Sequence, residues 1–175
     1  MADLLTGIYE EMVSTPSPMP TQLAALQAAL ASPASAAIFM SLAVKGAPRP
    51  FLVLNLVAGP PAEASLDGIS ALREGEVQFD AYADSQQAAR GLLDAVRDFW
   101  MLGFVTGTLP DGTAADFVDV TVDQDEPYEL GGEGYIHRAL LRLKALWTFS
   151  PTPAERGENN TDMADLLTGI YEEPS

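Results

Sequence analysis

GEVQFDAYADSQQAARGLLDAVRDFWML, residues 75–102, carries two hydrophobic periods in succession. Val77, Phe79, Ala81 and Ala83 alternate with Glu76, Gln78, Asp80 and Tyr82, the pattern of a strand buried on one face. Asp84 and Ser85 follow, side chains suited to accept the free N–H groups of a helix start. From there Ala89, Leu92, Leu93, Val96, Phe99 and Trp100 recur at spacings of three and four, which lays one apolar stripe along a helix. A polar-faced strand running straight into an amphipathic helix asks for a helix packed on a sheet.

Upstream, residues 1–13 form a short amphipathic helix with Met1, Leu4, Leu5, Ile8 and Met12 on one side, weakened by Gly7. STPSPMP, residues 14–20, is an extended linker stiffened by its prolines. Thr21 caps a second helix that runs to Ser32 and stops at Pro33, with Leu23, Leu26, Ala29 and Leu30 inward. Residues 36–44 are expected as a strand and 45–50 as a turn. FLVLNLV, residues 51–57, is apolar on both faces, as a strand covered on both sides requires, and Asn55 is its one polar interruption, a structural amide. Residues 59–74 form a loop whose end begins the next strand.

Downstream, residues 104–109 are a short strand, Pro110-Asp-Gly-Thr a tight turn, and residues 117–123 a strand with Val118, Val120 and Val122 inward. Residues 123–129 form an acidic loop, and Gly131-Gly-Glu-Gly a flexible connection. YIHRALLRLKALWTF, residues 135–149, has helix-favouring composition. Its alternation separates Ala139, Leu141, Leu143, Ala145, Trp147 and Phe149 from Arg138, Arg142 and Lys144, and it is read as an edge-to-centre strand. The expected fold is α+β: an antiparallel or mixed β-sheet covered by one long helix, with extra N-terminal helices.

Composition narrows the chemistry. The 175 residues include 9 basic and 25 acidic side chains, a formal net charge of −16, with 47% hydrophobic residues and no cysteine. A core part of this size buries about 68% of its unfolded surface and needs no staples. Disulfides, thiolate catalysis and cysteine metal sites are excluded. A chain this acidic has few cations with which to displace counterions from DNA. The N-terminus lacks the basic and apolar regions of a signal peptide, and no apolar run approaches the ~20 residues of a membrane helix.

No motif calls for catalysis. His137 is the only histidine, which rules out a multi-histidine metal site and leaves it as a packing or interface residue. Asp119, Asp123, Asp125, Glu126 and Glu129 lack the spacing and central glycine of a calcium loop. The glycines of residues 131–134 form no phosphate-binding pattern. No cofactor or metal site is expected, and the chain is not read as an enzyme. Phe99 and Trp100 belong to the core, while Trp147 and Phe149 suit either core or subunit interface.

Four features in order resemble the tail-completion family, the small tail-terminator proteins of long-tailed bacteriophages. They are the helix at residues 21–32; the proline-introduced strand Arg49-Pro-Phe-Leu-Val-Leu; the strand 77–83 leading through Asp84-Ser85 into AARGLLDAVRDFW; and the closing basic strand His137-Arg-Ala-Leu-Leu-Arg-Leu-Lys after an acidic stretch. The resemblance covers residues 20–150 as one domain. Residues 1–19, a helix and Pro-rich linker, and residues 151–175, a C-terminal tail, lie outside it. It implies a structural virion protein of the tail or neck, assembled in the host cytoplasm. The expected assembly is a homo-oligomeric ring, commonly a hexamer, that caps the tail tube. Its partners would be the tail tube protein and the head-tail connector protein, with DNA passing through without specific binding and no membrane involved. Phe51, Val53, His137, Trp147 and Phe149 are the interface candidates within the domain. A monomeric or dimeric adaptor or assembly chaperone for another virion protein is the alternative, and a small hydrolase with dispersed carboxylates a third.

The ends carry an unrelated signal. MADLLTGIYEE at residues 1–11 recurs unchanged at residues 163–173. Two short copies so far apart are not a solenoid repeat. The duplication is either a scar or a second copy of a docking helix, since Leu166 and Ile170 repeat the stripe of Leu4 and Ile8. These four are interface candidates as well.

Overall fold

A computed structural model describes residues 4–57, 64–65, 68–69, 72–104, 106–110, 112–130 and 134–148. Three helices come first: α1 (Leu4–Val13), α2 (Thr21–Ala28) and the single turn α3 (Ala34–Ala37). Strands β1 (Ile38–Met40), β2 (Phe51–Val57), the two-residue pair β3 (Ala64–Ser65) and β4 (Gly68–Ile69), and β5 (Leu72–Ala83) follow. Helix α4 (Gln86–Asp98) runs on into a π-helical turn (Phe99–Phe104), and β6 (Thr106–Thr108), β7 (Ala114–Leu130) and β8 (Gly134–Thr148) close the order.

Six strands form one mixed sheet in the order β1-β2-β5-β8-β7-β6, with β1 parallel to β2 and every other pair antiparallel. The opening motif behaves as its periods require. Val77, Phe79, Ala81 and Ala83 are buried beneath the helices, and Ala89, Leu92, Leu93 and Val96 of α4 pack onto them. Ser85 is the N-cap, its side chain accepting from the Ala88 N–H at 3.2 Å. Asp84 instead forms an ion pair with Arg49. The same sheet face also carries α1 over β1 and β2, and α2 packs on α4 and the π-helical turn. The fold is α+β with a mixed sheet, and several helices rather than α4 alone share the cover.

The local departures have physical reasons. Pro20 stands at the N-cap of α2, Thr21 is its first helical residue without a side-chain cap, and the helix ends at Ala28. Only Ile38–Met40 of the expected strand 36–44 is extended, because the alanine-rich start closes as α3. Residues 41–50 leave the sheet, and Ser41 adopts φ 65° where the chain turns away. The π-helical turn claims Phe104 from the next strand.

Along β7, register shifts fall between Phe117 and Asp119 and between Asp123 and Glu126. The first inserts one residue and so resets the alternation. Ala115 and Phe117 are buried, Val118 stands 48% exposed, and Val120 returns to the core side. Residues 123–129 continue as strand opposite β8 instead of looping out. Pro127 is tolerated there because β7 has no second neighbour beyond Asp116 among the described residues. β8 pairs on both sides, with β5 and β7, so it is a central strand rather than an edge-to-centre one.

Trp100 is fully buried among Phe99, Phe104 and Phe117, with ring centroids 4.6–5.2 Å away. These rings fill the space where the π-helical turn crosses β7.

Candidate interaction face

The other face of the sheet carries no helix among the described residues, and its chemistry differs. Strand pairing aligns Val53, Asp80 and Leu140; Asn55, Gln78 and Arg142; Glu76, Lys144 and Asp119. Lys144 of β8 therefore lies between Glu76 of β5 and Asp119 of β7, while Arg142 lies between Gln78 and Thr121. Lys144 forms an ion pair with Glu74. That hydrogen bond, then the charges of Glu74, Asp119 and Glu76, hold the Lys144 ammonium above its usual range against slight desolvation. Two cations of the basic strand, Arg138 and Lys144, are thus paired within the sheet.

Asp80 organises the middle of this face. Its residue is 3% exposed. Arg138 donates from Nε and Nη2 to Oδ1 at 3.1 and 2.8 Å, and Asn55 Nδ2 donates to Oδ2 at 3.2 Å. Gln78 Nε2 donates to both oxygens, at 3.2 and 3.0 Å. A buried carboxyl group requires such hydrogen-bond partners. Asn55 thus has the structural role its position suggested.

Residues 41–50 arch over this cluster and enclose a groove of about 690 Å³ lined by Phe51, Val53, Asp80, Tyr82, Ile136 and Arg138 among others. Phe51 stacks on Tyr82 with centroids 5.0 Å apart and meets Phe39 edge-on at 5.7 Å. At the crest Leu42 and Val44 stand 82% and 67% exposed. The Arg49–Asp84 pair ties the base of the arch to the entry of α4. Groove and arch offer an apolar rim over a hydrogen-bonded polar floor. Among the described residues no group of three or more His, Asp or Glu side chains comes together to hold a metal.

The candidates named from sequence separate into three places. Leu4, Ile8 and Trp147 are buried in the chain's own core. Phe51 and Val53 are nearly buried and line the groove, and His137 is half-buried beside Ala83 and Pro127 in the sheet register. Phe149, Leu166 and Ile170 lie outside the described residues. Sequence reading missed the Asp80–Arg138 centre and the arch. Its available signal was that Asp80 and Arg138 both sit on the polar side of strongly alternating strands.

No protein-family model matches the chain, and a search of curated proteins finds no match. No described helix is long and apolar enough to cross a membrane.

Proposed function

We propose that the chain is a structural ring subunit of a phage tail, a terminator that caps the tail tube and joins it to the head connector. The resemblance of residues 20–150 to the tail-completion family is what suggests this reading. One structural observation favours self-association: both sides of the sheet end in strand without a described neighbour. On one side β1 covers only Leu52–Leu54, leaving Asn55–Val57 open with Leu56 and Val57 exposed. On the other, β7 runs on from Phe117 beyond the reach of β6, with a free edge up to Pro127, which has no N–H to pair. Open strand edges invite pairing with another chain.

Two different edges on one subunit suit a heterologous contact, in which β7 of one copy lies beside the β1–β2 side of the next. Such contacts close into a ring when the rotation between neighbours is a whole fraction of a turn. The subunit contact then uses β7 rather than β8, whose edges are both paired. The inner wall of the ring is assigned to the acidic stretches at residues 111–116 and 123–129, whose like charge keeps DNA from adhering. The paired cations Arg138 and Lys144 of β8 support that reading.

Native mass measurement, with and without tail-tube protein, is the test. A closed oligomer supports the ring, and a monomer under both conditions overturns it.

A further inference from the structure

The repeated peptide acquires a specific meaning from the place of its first copy. Leu4, Gly7, Ile8 and Met12 of α1 are buried, in a seat formed by β1, β2, α2 and α3. Three of those four belong to the repeat: Leu166, Gly169 and Ile170 stand at the corresponding positions of the second copy. One seat is thus matched by two peptides of identical sequence in the same chain. A helix this short gains its order from docking rather than from propensity, so the seat's fit to Leu4–Glu11 is what defines the site.

The copies differ just beyond the repeat. Pro174 stands where the first copy has Met12, so the second copy lacks the side chain that is fully buried in the first. Gln27 Nε2 donates to the carbonyl oxygens of Met12 and Ser14, at 3.0 and 2.9 Å, both outside the repeated stretch. These contacts favour the first copy as occupant. The second is within reach. Thr148 pairs with Leu72 at one end of β5, whereas α1 lies over β1 and β2. At 3.3 Å per strand residue and 4.8 Å per strand the span is about 30 Å. Residues 149–162 cover about 45 Å when extended. Tethering at that length supplies an effective concentration of order mM.

We infer that the α1 seat is a receptor for the chain's own residues 163–173, which occupy it when α1 is withdrawn. The N-terminal helix can then leave, with its linker, while the places of Leu4 and Ile8 stay filled and that of Met12 opens. The inference is independent of the tail assignment, because it concerns one subunit and is read as thermal stability.

The test is a cycle in the full chain: Ile8→Asp to unseat α1, Ile170→Asp to disable the second copy, and both together. Ile170→Asp alone should leave the melting temperature unchanged. Ile8→Asp should lower it, and the double variant should melt about 3 °C or more below Ile8→Asp. The extra loss should not depend on protein concentration, as an intramolecular exchange requires. If Ile8→Asp does not fold, Ile8→Ala takes its place in the same cycle. Synthetic MADLLTGIYEE at mM concentration should raise the melting temperature of the double variant, whereas the peptide with Asp in place of its isoleucine should not. Identical melting of the single Ile8 variant and the double variant would overturn the inference, as would no response to the peptide. Protection by the second copy that appears only at high concentration would overturn it in favour of exchange between subunits.

Discussion

Arg138 and Asp80, 58 residues apart in sequence, meet on the open face of the sheet with two guanidinium N–H groups on one carboxylate oxygen. Neither β5 nor β8 alone explains this contact; it follows from the antiparallel register that sets Tyr82 opposite Arg138 and Asp80 opposite Leu140. The ion pair locks the two strands that form the middle of the sheet. Arg138→Ala leaves the Asp80 carboxylate buried with only two amides, and should cost about 3 kcal/mol in urea unfolding. Asp80→Leu combined with Arg138→Met should recover most of that loss, because it removes both charges.

Trp100 Nε1 is buried without a hydrogen-bond partner among the described residues. Trp100→Ala should cost about 4 kcal/mol, since it empties the space between Phe99, Phe104 and Phe117. Trp100→Phe should cost less than half as much, because it keeps the aromatic packing and removes an unpaired donor. Thermal unfolding of the two variants checks the order.

Glu11, near the end of α1, is partly buried, and desolvation raises its carboxyl above the ordinary value of 4.5. A raised folded pKa means that the folded protein holds this proton more tightly than the unfolded chain does. Stability from this group is therefore greatest below pH 4.5 and declines as pH rises through the folded pKa. Glu11→Gln should thus melt above the parent at pH 7, and the advantage should vanish below about pH 4. A gap that widens on acidification would contradict the burial assigned to this side chain.

Leu42 and Val44 at the crest of the arch are exposed in the subunit. Replacing both with Asp should change subunit stability by no more than about 0.5 kcal/mol. Sedimentation velocity of the same variant tests whether the arch joins the strand edges in self-association: fewer oligomers would add it to the contact, and unchanged assembly would leave the contact to the edges of β7 and β1–β2.

What the sequence disclosed was largely what local period determines. The strand into α4 and the Ser85 cap were legible, as was β8, where alternation prevailed over the helix-favouring Leu, Arg and Lys because the strand is paired on both sides. Val118 stands outward, against its alternation, because it is the extra residue of the first register shift, and nothing in the local composition announces that insertion. The acidic residues 123–129 read as loop because their composition disfavours strand; pairing with β8 supplies what propensity does not. The arch of residues 41–50 and the Asp80–Arg138 centre were hidden for a different reason: both are products of strand order, which no single segment encodes.

The central claim is that these open-edged subunits close into a ring, and the native mass of the full-length protein tests it most directly. The account predicts a discrete closed multiple of the 18.6 kDa chain, six copies on the family likeness, forming alone or on addition of tail-tube protein. A sharp monomer mass at high concentration, unchanged beside tail-tube protein, would contradict it.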